Sequence, residues 1–111
     1  MVIDTILNYG YSSHMKATRI FYDKAILPDG SIVEMTIWQL PNTTAERHHG
    51  LKYSLYYGRN GEFIVGYDNE RGKSDHKHIY NVESRYKFID VETMITDFLA
   101  DIERVQNESD E

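Results

Sequence analysis

The sequence predicts an α+β domain: an antiparallel sheet of four or five strands, a C-terminal helix packed on one face, and a short N-terminal helix. Three observations carry that class. Asn60-Gly61 lies between two strand-like runs, and this dipeptide suits a type I′ hairpin turn, which needs positive φ twice. Val33, Met35 and Ile37 alternate with Glu34 and Thr36, the period of a strand with two unlike faces. Val91, Ile95, Phe98, Leu99, Ile102 and Val105 recur at helical spacing, forming an apolar stripe that must be buried.

In chain order, Val2–Asn8 allows one or two helical turns, broken by Gly10, Ser12 and Ser13. Lys16–Leu27 reads as a first strand centred on Ile20, Phe21 and Tyr22. Pro28-Asp29-Gly30 is a turn, because Pro presets φ and Gly supplies positive φ. Ser31–Leu40 is a second strand, antiparallel to the first. Its other face carries Ile32, Glu34, Thr36 and Trp38. Pro41–Gly50 is a loop holding His48 and His49. Lys52–Gly58 and Glu62–Asp68 are the third and fourth strands. With a two-residue turn, Tyr53 faces Asp68, Leu55 faces Gly66, Tyr57 faces Ile64, Tyr56 faces Val65 and Ser54 faces Tyr67. Ile79–Ile89 offers a fifth strand, clearest at Tyr86-Lys87-Phe88. Asp90 caps the helix and Glu92 favours its positive end. Asn107–Glu111 is an expected frayed tail.

The 111 residues make one domain, with its core within 16–105. Without cysteine, disulfides, thiolate-ligated zinc and a cysteine nucleophile are excluded. No apolar run nears the roughly 20 residues that span a bilayer. The first fifteen residues lack the basic start and long apolar segment of a signal peptide. The expectation is a cytoplasmic protein without a membrane partner. Net charge is −6, yet residues 90–111 hold eight acids and one base, leaving ten acids and eleven bases elsewhere. The near-neutral body therefore remains open to a phosphate backbone.

Gly66–His78, GYDNERGKSDHKH, is too charged for a core. It reads as a strand end turning into a loop that the scaffold presents. Together with Pro28-Asp29-Gly30-Ser31-Ile32-Val33-Glu34, Trp38 and Lys52-Tyr53-Ser54-Leu55, it resembles the TumE family. The specific part is Gly66-Tyr67-Asp68-Asn69-Glu70-Arg71-Gly72-Lys73, Asp75-His76 and His78. The resemblance covers roughly residues 16–105. It implies a growth-inhibiting toxin of a two-gene bacterial toxin–antitoxin system, acting on RNA and paired with a helix-turn-helix antitoxin.

Metal-free RNA cleavage needs a base at the 2′-OH, an acid at the leaving 5′-oxygen and a cation at the phosphate. His76 and His78 suit the proton transfers, and they share a face if the chain there is extended. Arg71 and Lys73 offer phosphate clamps. Asp75 or Asp68 can orient a histidine. Tyr53 and Trp38, with Tyr67 beside them, are the aromatic groups available to an unpaired base. Glu34 is the best carboxylate outside the stretch.

Blander readings stand beside these. A charged loop is usually a solvated one, with surface ion pairs worth little. Tyr53, Tyr57 and Trp38 fit a core as well as a base platform. His48 and His49 read as loop residues, and His14 carries no signal. The acid–base reading calls for no cofactor. A metal nuclease instead uses Asp68, Asp75, His76 and His78 as N/O ligands, with Glu34 added, although Arg71, Lys73 and Lys77 oppose a cation. A nucleotide-transferring toxin and a non-catalytic module, whose acidic helix suits a basic antitoxin, also stay open, as does a homodimer.

Overall fold

The computed structural model describes residues 16–70 and 72–109. Six strands run β1 (Thr18–Ile26), β2 (Ile32–Gln39), β3 (Leu51–Arg59), β4 (Glu62–Asp68), β5 (His76–Ile79) and β6 (Val82–Arg85), followed by helix α1 (Val91–Ser109). Each strand pairs antiparallel with its chain neighbour, giving the order β1-β2-β3-β4-β5-β6. The α+β class is as the sequence predicts, with one more strand. The expected N-terminal helix lies outside the described residues.

The turns form where their chemistry asks. Gly30 takes φ 86°, and the Asp29 carboxylate accepts the Ser31 amide and hydroxyl. Asn60 and Gly61 take φ 56° and 78°. Asp90 Oδ1 accepts the Thr93 amide at 2.7 Å, an N-cap that holds this carboxyl below its ordinary range.

Two expectations need correction. Beyond the Asn60-Gly61 turn, the register moves by one at a β-bulge. Arg59 faces Glu62 and Gly58 faces Phe63, but Tyr57 faces Val65, so Ile64 is the extra residue. Ile64 and Val65 are both buried, because a bulged strand can turn two successive side chains inward. Consequently Asp68 faces Ser54, not Tyr53, and Tyr67 faces Leu55. Second, Ile79–Ile89 is not one strand. Ile79 faces Val82 across Tyr80-Asn81, with Tyr80 at φ 55°. The polar run His76–Ile79 is itself a strand. Tyr86 and Phe88 leave the sheet to pack against the core.

That core lies between one sheet face and α1. Ile37, Tyr53, Leu55, Val65 and Tyr67 meet Met94, Phe98, Ile102 and Val105. Leu99, expected in the helix stripe, is exposed, and Met94 is buried instead. Asp101 is buried among these apolar groups. It accepts from Tyr67 (2.5 Å), Lys77 (3.2 Å) and Arg104 (2.7 Å). Burial pushes its carboxyl up, but those donors outweigh it and hold the carboxyl below its ordinary range.

The helix packs on one face only. The opposite face carries two cross-strand rows, since residues opposite in antiparallel strands share a face. One reads Lys24, Glu34, Tyr56, Gly66, His78, Glu83; the next reads Tyr22, Thr36, Ser54, Asp68, His76, Arg85.

Candidate active site

The polar stretch divides into two halves with different work. Its first half is tied into the interior. Asn69 is fully buried; its side chain accepts the Tyr53 amide (3.1 Å) and donates to the Leu51 carbonyl (2.9 Å), extending the strand pairing. Its carbonyl accepts two bonds from Arg47, at 3.0 and 2.8 Å. Asp75 is buried on the helix side. It accepts the Tyr53 hydroxyl at 2.6 Å and His49 Nε2–H at 3.0 Å. His49 Nδ1 accepts the Leu51 amide (3.1 Å), which fixes the tautomer that donates to Asp75. The Phe88 ring lies 4.1 Å from that of His49. Burial, with the bond to Asp75, pushes the Tyr53 hydroxyl well above the usual tyrosine range.

The second half lies on the open face. Because β5 is extended, His76 and His78 point the same way, with ring centroids 5.2 Å apart. His76 Nδ1–H donates to the Ser74 carbonyl at 2.9 Å, an oxygen that can only accept. Its Nε2 lies 3.0 Å from Asp68 Oδ1 and 3.6 Å from Glu83 Oε2. Glu83 Oε2 also accepts from Lys73 at 3.3 Å, a bond that holds its carboxyl below the ordinary range. A turn delivers Lys73 there: its amide closes on the Glu70 carbonyl with Gly72 at φ 86°.

Beside His78 the open face carries aromatic surface. The Phe63 ring lies 5.8 Å from that of His78 and 5.4 Å from Tyr56, near-parallel to the latter. It lies across Gly66, where an added Cβ would meet Phe63 Cζ at 2.2 Å. Phe63 remains 45% exposed, so half its surface is free to meet a ligand.

Of the residues singled out in the sequence, Asp68, His76, His78 and Lys73 come together. Arg71 lies outside the described residues. The Asp75 carboxylate bonds neither His76 nor His78; the histidine it orients is His49. Tyr53 and Tyr67 are buried towards the helix, so neither offers a base platform. Trp38 is buried too, with Lys52 Nζ 5.2 Å from its ring. Glu34 accepts the Tyr22 hydroxyl (2.8 Å) and stands three strands from His78, about 14 Å away at the usual strand spacing. Sequence reasoning missed Phe63, Glu83 and the structural roles of His49, Arg47 and Asn69. A glycine inside a strand signals close approach, and Gly66 was that signal for Phe63. Glu83 needed the Tyr80-Asn81 turn, which has no Gly to mark it.

A family model described as Toxin TumE matches residues 4–106. No curated protein and no solved structure matches the chain.

Proposed function

This chain belongs to the TumE toxin family, and from that premise we propose that it is an endoribonuclease needing no metal for cleavage, with its reacting groups on the open sheet face. It is a toxin of a toxin–antitoxin system, and an antitoxin partner follows. The observation that carries the ribonuclease reading is the pairing of His76 and His78 on one rigid strand, flanked by Asp68, Glu83 and Lys73. In this reading His78 takes the proton from the 2′-OH. His76, which lies beside the Asp68 and Glu83 carboxylates, carries the proton given to the leaving 5′-oxygen. The 2′-oxygen bonds phosphorus as the 5′-oxygen leaves, so the products are a 2′,3′-cyclic phosphate and a free 5′-hydroxyl. Lys73 leaves Glu83 to meet the phosphate, with Arg71 as a second cation. The antitoxin is proposed to be of the helix-turn-helix type, and the exposed acids Glu92, Glu103 and Glu108 of α1 suit a basic partner surface.

A single-stranded RNA should be cut in excess chelator, and a 2′-deoxy sugar at the scissile position should block the cut. Cleavage that needs added metal and tolerates the deoxy sugar would instead favour a metal nuclease. That second reading has one observation behind it: ligand atoms of Asp68, His76 and His78 lie within 4.8 Å of one another.

Phe63 and Tyr56 are proposed to stack an RNA base beside His78. Gly66→Ala should displace the Phe63 ring, since the clash is with the movable end of a side chain. The fold should persist, while RNA affinity falls about ten- to hundredfold, the loss of one base stack. Fluorescence anisotropy with a single-stranded oligonucleotide reads this. Unchanged affinity in both Gly66→Ala and Phe63→Leu would remove the platform.

A further inference from the structure

We infer that Asp68, His76 and His78, with Glu83 as a fourth ligand, form a binding site for one divalent ion of the zinc class, and that the bound ion silences the site. The silencing half rests on the acid–base reading above; the binding half does not.

The geometry already approaches a metal site. His76 Nε2 and Asp68 Oδ1 are 3.0 Å apart, and atoms of all three residues lie within 4.8 Å of one another. Ligands around tetrahedral zinc stand about 3.4 Å apart, from bonds of about 2.1 Å. Closure therefore asks for shifts of roughly an ångström in side chains that are not all fully packed. The outer contacts are in place as well. The His76 Nδ1–H bond to Ser74 leaves Nε2 as the free ring nitrogen, 3.0 Å from Asp68 and 3.6 Å from Glu83. A metal-bound imidazole is normally oriented by such a bond through its other nitrogen. Asp68, His76 and His78 sit on adjacent paired strands, so the backbone holds them together without a loop closing.

Charge and chemistry select the ion. Asp68 and Glu83 bring two negative charges, and Lys73 opposes them through an exposed ammonium that can swing away. Two imidazoles with carboxylates suit zinc, copper or nickel rather than magnesium or calcium, which want oxygen alone. Asp75 is not a ligand, being held on the other side by Tyr53 and His49. A bound ion occupies the nitrogen lone pairs that would otherwise carry protons.

The test is calorimetric titration of the full, metal-stripped chain with zinc chloride, without RNA. One ion should bind per chain. Asp68→Asn and His78→Ala should each weaken binding at least tenfold, while His48→Ala leaves it unchanged. Magnesium in large excess should not compete. No stoichiometric binding, or binding untouched by both variants, overturns the site. Zinc should then suppress RNA cleavage and chelator restore it; unaltered cleavage by the zinc-loaded chain overturns the silencing. A chain that binds zinc through these residues but never cuts RNA supports the site and sinks the ribonuclease reading instead.

Discussion

His78→Ala should abolish growth arrest and lower RNA cleavage by about two to four orders of magnitude, the usual contribution of a proton-transferring side chain. Its thermal stability should stay within about 0.5 kcal/mol of the unmodified protein, as for surface changes away from buried networks. The structural ground is the partial exposure of His78 at the open face. Among the described residues no hydrogen bond engages its ring, and its neighbours are the rings of His76 and Phe63. His76→Ala should also inactivate, but it empties a buried position and strands the Ser74 carbonyl contact, so it is the less clean variant. Early total RNA from cells induced for either form shows the contrast: fragments with the unmodified chain, intact RNA with His78→Ala. A folded His78→Ala protein that still arrests growth would sink the assignment.

Asp75→Ala should also abolish toxicity, for a different reason. It removes the carboxylate that accepts Tyr53 Oη–H and His49 Nε2–H in the interior. Each buried donor left without a partner costs about 1–3 kcal/mol, so the two together should cost about 2–6 kcal/mol. For a chain of this size, Tm should fall by more than about 10 °C. Thermal unfolding followed by circular dichroism measures it. The pairing of the two variants is informative. His78→Ala loses activity at constant Tm, whereas Asp75→Ala loses Tm first. An Asp75→Ala protein of unchanged Tm without activity would return Asp75 to the chemistry.

How much of this was legible is best judged residue by residue. The hairpin at Asn60-Gly61, the Pro28–Gly30 turn and the Asp90 cap were readable because each depends on chemistry within a few residues. The open-face grouping of Asp68, His76 and His78 was readable only in part, since alternation places His76 with His78 but not with Asp68. Local rules could not divide the charged run into a structural and a solvent-facing half. That division depends on His49 and Arg47, some twenty residues upstream, reaching Asp75 and the Asn69 carbonyl. Tyr86 and Phe88 read as strand because aromatic residues favour strands. They are instead apolar plugs beneath the sheet, and their local pattern is the same in both roles. Leu99 fits the helical stripe, yet the side that α1 turns to the sheet is centred on Met94, Phe98 and Ile102.

The bulge at Ile64 gives strands β4 and β5 a parity. Were Ile64 paired opposite Tyr57 in a regular ladder, Asp68 would fall on the Tyr53 side, and its partner His76, with His78, would follow it into the interior. Tyr67 would move outwards. Which side chains of these strands meet water is thus decided by whether Ile64 is skipped or paired, not by their polarity alone. Removing Ile64 would close the bulge and leave Val65 opposite Tyr57 and Asp68 opposite Ser54, so the pairing at the bulge, and not the length alone, turns the histidines outwards.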